Sequence, residues 1–166
     1  MGSGKSTVGK LLAKKLSMLF MDTDLEIERR CGVSISDIFE LEGEAGFRHR
    51  ETQMINEICK KDGFVIATGG GVVTTEQNRK NLSQEGTVIY LKSSPDELWL
   101  RTRNNPRRPL LNNEDSKNTL ENLLEQRSHL YNEIADIVIE TGKPHAYETA
   151  QKIIDQLSQK GLKIQN

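Results

Sequence analysis

The chain has only two cysteines, Cys31 and Cys59, which form no CxxC pair and have no clustered histidines near them. That scarcity excludes a disulfide scaffold and argues against a zinc site, leaving reduced structural thiols as the expectation. His49, His129 and His145 likewise lack metal-ligand spacing. No apolar run approaches the length of a membrane span, and the first residues contain no signal-peptide core, so a cytoplasmic protein is expected. An excess of one charge is also missing. The 23 basic and 24 acidic side chains leave a net charge of -1, which points to no nucleic-acid partner. With no internal repeat, low-complexity tract or linker, the 166 residues read as one domain. Such a length buries roughly 70% of the unfolded surface and folds unaided.

What the sequence does contain is an alternation of short apolar runs with amphipathic stretches. Strands are expected near Met18 to Met21, Phe64 to Ala67, Thr87 to Leu91 and Ile137 to Ile139. Runs such as Val65-Ile66-Ala67 show no polar alternation, as in strands buried on both sides, so the expected fold class is α/β, a parallel sheet with helices on both faces. Ligands of such sheets bind beyond the carboxyl ends of the strands.

The residues at those ends carry the chemistry. Gly2-Ser3-Gly4-Lys5-Ser6-Thr7 opens a helix whose apolar positions are Val8, Leu11, Leu12 and Leu16. This is most of a phosphate-binding loop: the glycines let backbone N–H groups converge on phosphate oxygens at a helix N-terminus. Lys5 would reach the β- and γ-phosphates, and the Ser6 hydroxyl would sit on Mg²⁺. The bland alternative is a flexible Gly-Ser-Gly start before an ordinary helix. Asp22 and Asp24 follow the first strand, where they either cap the next helix or serve a metal and a hydroxylated substrate. Gly69, Gly70 and Gly71 follow the second strand as a tight turn or as a site of close backbone approach to a ligand.

Two arginines stand out further along. A helix is expected from about Gly43 to Lys61 with Phe47, Met54, Ile55 and Ile58 inward, and Arg48 and Glu51 share its face at the border of that stripe. They form either a surface ion pair or an arginine oriented by a glutamate for bidentate grip on a carboxylate. Arg127 falls within the apolar stripe Leu120, Leu123, Leu124, Leu130, Tyr131 and Ile134, where it either snorkels to the helix edge or meets an anion. Between these lies a helix start at Ser94-Pro95. An arginine-bearing stretch with Arg103, Arg107 and Arg108 comes next and reads as a lid or a mobile loop. Lys143 and Pro144, in a loop before the last helix, are candidates to flank a nucleotide base.

In order and approximate spacing, Gly2 to Thr7, Asp22-Thr23-Asp24, Gly46-Phe47-Arg48 through Glu51, Thr68 to Gly71, Arg108 to Leu111 and Arg127 with Leu130-Tyr131 resemble shikimate kinase. The resemblance spans nearly the whole chain. It implies a three-layer P-loop kinase fold of the nucleoside monophosphate kinase type, with a shikimate-binding segment at about 25–61 and a lid at about 102–117. The implied activity is ATP-dependent phosphorylation of the shikimate 3-hydroxyl by a monomer with no nucleic-acid or membrane partner. By the same resemblance Asp24 holds the shikimate hydroxyls and accepts the proton, and Arg48 and Arg127 grip the carboxylate. Gly69, Gly70 and Gly71 line that pocket, and Glu51 orients Arg48. The cofactor side takes Gly2, Ser3, Gly4, Lys5, Ser6 and Thr7 for ATP phosphates, Lys5 and Arg108 for the transferred phosphoryl, Arg101 for the adenine, and Ser6 and Asp22 for Mg²⁺; the loop of Lys143 matches the family weakly, so Lys143 is a candidate for the base from its position alone. The strand and first glycine that precede such a loop have no counterpart here. The resemblance therefore implies a sheet without its first central strand, with facing strands left unpaired at about 1–3 kcal/mol per buried group. The chain is read as a fragment or mis-started form of a complete kinase, or else as a poorly stable protein open to loss of activity. Alternative readings are a related small-molecule kinase, such as one acting on gluconate, and a non-catalytic fragment.

Overall fold

The computed structural model describes residues 2–102, 116–141 and 145–161. The order of elements is α1 (Lys5–Leu16), β1 (Leu19–Asp22), α2 (Thr23–Cys31), α3 (Ile35–Ile58), β2 (Phe64–Ala67), a 3-10 turn (Val72–Thr74), α4 (Glu76–Glu85), β3 (Ile89–Lys92), α5 (Pro95–Thr102), α6 (Ser116–Ile134), β4 (Ile137–Glu140) and α7 (Ala146–Gln159). The strands lie within one or two residues of their expected positions. They form two parallel pairs, β1 with β2 in register Leu19 to Phe64, and β3 with β4 in register Ile89 to Ile137.

Local chemistry explains where the helices begin. α1 starts after Gly4, whose φ of 86° suits glycine, and no side chain caps its first turn. Its first amides are thus directed toward whatever occupies the loop. Asp22 caps α2 by accepting from the backbone N–H groups of Asp24 and Leu25 at 3.1 and 3.4 Å. Ser34 and Asp37 form a reciprocal capping box for α3, so that helix begins eight residues before the position expected from the sequence. Gly43, at φ 70° and ψ -179°, breaks α3 into two arms. Ser94 and Glu97 exchange bonds at the start of α5, as the Ser-Pro-Asp-Glu pattern implied.

Helices cover both faces of the strands. On one face Val8 and Leu12 of α1 and Ala150, Ile153 and Leu157 of α7 pack with Leu91, Ile137 and Ile139. On the other, Ile55, Val72 and Val73 pack with Leu82, Leu130, Tyr131 and Ile134. A third cluster, Ile27, Ile38, Phe47 and Met54, joins α2 to α3. The outer strands are less covered than a doubly buried sheet requires: Leu19 of β1 is 64% exposed, and Val138 and Glu140 alternate outward on β4.

Replacing Ile153, 1% exposed, with alanine is expected to lower unfolding free energy by about 2–4 kcal/mol in urea titration. Leu41→Ala, at a side chain 78% exposed, is expected to change it by less than about 0.5 kcal/mol.

Candidate active site

The loop before α1, the end of β1 and the turn after β2 meet at the carboxyl ends of the strands. Ser6 Oγ donates to Asp22 Oδ2 at 2.6 Å, while the other oxygen of the same carboxylate caps α2. Asp22 therefore caps the helix with one oxygen and holds the Ser6 hydroxyl with the other. Ser3 is buried in the loop, and Ser3 and Lys5 line the same cleft as Thr68, Gly69 and Gly70. Arg101, on α5, donates to the carbonyl of Gly2 at 3.3 Å, which puts it against the loop backbone.

The turn after β2 is crowded by charged side chains. A Cβ on Gly69 would lie 2.8 Å from Asp24 Oδ1 and 3.0 Å from Glu51 Oε1. A Cβ on Gly71 would lie 2.2 Å from the Arg48 guanidinium. Gly71 has an ordinary helical backbone, φ -87°, so its lack of a side chain supplies space rather than conformational freedom. Gly70 accepts a hydrogen bond from the Tyr131 hydroxyl. What approaches these glycines is thus a set of side chains from α2, α3 and α6.

Arg48 is the centre of that set. Its guanidinium bonds Glu51 at 2.7 Å and Glu44 at 3.0 Å, and it stacks near the Phe47 ring. Glu51 is fully buried, so the pair is not a solvated surface bridge. Burial pushes the Glu51 carboxyl up to about 7, outweighing the attraction of Arg48, and the nearby Asp24 charge adds to the rise. Glu51 Oε1 makes no hydrogen bond among the described residues. Arg127 is buried, 9% exposed, rather than extended to solvent, and its charge reaches both Glu51 and the Tyr131 hydroxyl. Burial also raises the Tyr131 phenol, which keeps it a donor to Gly70.

The structure thus brings together Gly2, Ser3, Gly4, Lys5, Ser6, Thr7, Asp22 and Arg101 around the loop. Asp24, Arg48, Gly69, Gly70, Gly71 and Arg127 gather around the β2 turn. Arg108, Lys143 and Pro144 lie outside the described residues, as do positions 103–115 of the expected lid. Glu44 was not singled out in the sequence, although its place four residues before Arg48 was the available signal. The Tyr131 bond to Gly70 depends on a contact 61 residues apart, which no local pattern encodes.

The Glu51 shift has a pH consequence. Because the folded carboxyl binds its proton more tightly than the unfolded one, its contribution to stability is greatest below about pH 4.5 and is lost as pH rises through about 7. Denaturation at pH 5 and pH 8 is expected to show a decline of about 2–3 kcal/mol from this group. Glu51→Gln is expected to remove that part of the pH dependence; an unchanged slope would locate the proton elsewhere.

Known proteins resemble this chain. The sequence model of the family described as shikimate kinase matches residues 1–158. A shikimate kinase of Cupriavidus pinatubonensis is 51% identical over 164 residues, covering 99% of this chain and 85% of that protein. One from Histophilus somni is 49% identical, covering 99% of this chain and 93% of that protein. Among solved structures, shikimate kinase from Acinetobacter baumannii in complex with shikimate superposes with a TM-score of 0.96 at 45% identity, covering 98% of this chain and 91% of that one. Shikimate kinase from Aquifex aeolicus gives 0.82 at 34% identity, with 98% and 94% covered. A phosphate loop tied to Asp22, a glycine turn shaped to charged side chains and likeness over nearly the full length agree: the chain belongs to the shikimate kinase family.

Proposed function

We propose that the protein transfers the γ-phosphoryl of ATP to the 3-hydroxyl of shikimate, the reaction that supplies shikimate 3-phosphate to aromatic amino acid biosynthesis. The observation that supports it most is the Arg48 guanidinium, seated in the space left by Gly71 and oriented by the fully buried Glu51, with buried Arg127 close to the same glutamate. Two cations beside a carboxylate on a glycine turn suit a small acceptor bearing one carboxylate and several hydroxyls. In this reading residues 25–61 form the acceptor side, and 1–166 act as one P-loop kinase domain with its lid at about 102–117.

Arg48 and Arg127 bind the acceptor carboxylate, and the backbone of Gly69 to Gly71 walls the ring. Asp24 receives hydroxyl hydrogen bonds and takes the proton of the attacking oxygen. Gly2 to Thr7 hold the phosphates through backbone amides at the start of α1. Lys5 and Arg108 neutralise charge on the phosphoryl in flight, so catalysis is chiefly positioning and charge stabilisation. Arg101 and Lys143 border the nucleotide. Ser6 and Asp22 present a hydroxyl and a carboxylate oxygen within 2.6 Å of each other, a hard-oxygen pair that fits Mg²⁺. Held there, the ion would offset the negative charge of the phosphates. We further propose a cytoplasmic monomer with a small-molecule substrate and no nucleic-acid or membrane partner. The balanced charge supports this. Among the described residues no helix is long and apolar enough to cross a membrane.

Arg48→Ala removes a charge-assisted anchor worth about 2–3 kcal/mol, so the KM for shikimate is expected to rise roughly 30- to 150-fold. The KM for ATP is expected to stay within about threefold. Steady-state kinetics with each substrate varied checks this, and equal losses for both substrates would count against the assignment.

A further inference from the structure

Arg48 is paired with two acids that are held very differently. Its Nη1 donates to Glu51 Oε2 at 2.7 Å. Its Nε and Nη2 both donate to a single oxygen, Glu44 Oε1, at 3.1 and 3.0 Å. The Glu51 side chain is 0% exposed and that of Glu44 is 49% exposed, so one partner is locked in the core while the other reaches solvent. The guanidinium is fixed as well, since Gly71 lies against it and the Phe47 ring centre is 5.2 Å from its carbon. Glu44 directly follows the break in α3 at Gly43, where φ is 70° and an added Cβ would meet nothing within 4 Å. Of the three side chains, Glu44 is therefore the one placed to move.

We propose that Glu44 is a resident counter-ion of the acceptor anchor, which an acceptor carboxylate displaces from the Nε/Nη2 fork of Arg48 in order to bind. This rests on the reading of Arg48 as the carboxylate anchor. The fork itself favours the exchange. A carboxylate grips two such nitrogens best through parallel bonds, one to each of its oxygens. Glu44 offers one oxygen to both, so a ligand that offers two makes the better pair. The other two-nitrogen side of the guanidinium shares Nη1 with Glu51, and separating that buried pair would leave its charge uncompensated. Breaking the Glu44 contact costs little by comparison, because water takes over at a half-exposed pair four residues apart. Repulsion between the arriving carboxylate and Glu44 drives the same exchange. Glu44 thus acts through Arg48, as a positioning residue that sets how tightly the acceptor binds. It keeps the fork charge-matched until a ligand with further partners at Asp24 and the glycine turn takes its place. A simple anion brings no such partners and displaces it poorly.

The test compares the unaltered chain with Glu44→Gln, which keeps the shape of the side chain and removes its charge. Glu40→Gln, which removes another exposed charge of α3, is the control. Each is assayed with MgATP and either shikimate or its neutral carboxamide. Glu44→Gln is expected to lower the KM for shikimate roughly two- to fivefold, the scale of a half-exposed ion pair. Its kcat, KM for ATP and thermal midpoint are expected to hold. The KM for the carboxamide is expected to hold too, because a neutral group does not compete with Glu44 for the charge of Arg48. Glu40→Gln is expected to change none of these. A KM for shikimate that stays the same or rises in Glu44→Gln overturns the proposal, making Glu44 a bystander or a support for Arg48. An equal fall in Glu40→Gln, or with the carboxamide, also overturns it, since a general field or a reshaped pocket is then the cause. Those results leave phosphorylation of shikimate standing, whereas an unaltered chain that turns over neither acceptor overturns both readings.

Discussion

One carboxylate, Asp22, fixes the relation between the two halves of the site. Its Oδ2 accepts from Ser6 in the phosphate loop and its Oδ1 caps the helix that carries Asp24. A shift of the loop therefore drags the start of α2, and a shift of α2 disturbs the loop. The coupling passes through a side chain at the end of β1, held in turn by its parallel ladder with β2. In the proposed function, this is how an acceptor hydroxyl near Asp24 is kept in reach of phosphates bound by the loop. Positioning of that kind contributes several kcal/mol to transfer between two bound reactants.

On the acceptor side the controlling constraint is space. Gly69 and Gly71 leave room that a single methyl group would fill, and Asp24, Glu51 and Arg48 occupy it. Burial, with a smaller push from the Asp24 charge, is why Glu51 holds its proton more firmly than an exposed glutamate. A buried acid whose carboxyl sits near 7 orients the Arg48 guanidinium without fully neutralising it, and the Arg127 charge lies within reach of the same acid. An incoming carboxylate would then find cationic partners already directed toward it.

The sequence made some of this legible and hid the rest for physical reasons. β2 was readable to the residue because Phe64 to Ala67 is a continuous β-forming run bounded by Gly63 and Thr68. The break at Gly43 was misread as a helix start, since glycine marks both; the capping box Ser34 to Asp37 was the stronger signal. The three glycines announced a close approach, yet a glycine reports only that something comes near. That the neighbours include side chains of Asp24, Glu51 and Arg48 follows from three separate elements converging. Exposure of Leu19 and Val138 depends on which strands are outermost, a property of topology that a local pattern does not contain. The expected gap in the sheet does correspond to an observed feature, the cavity between β2 and β3.

The site and the cavity lie end to end, since Ser3 and Lys5 belong to both. Packing of the sheet and geometry of the phosphate loop are consequently linked. The most direct test of the account is phosphorus NMR of the products formed from MgATP and an equimolar mixture of shikimate and gluconate. The account predicts ADP together with shikimate carrying the phosphoryl group on its 3-oxygen. Transfer mainly to gluconate, transfer to water alone, or no transfer would contradict it.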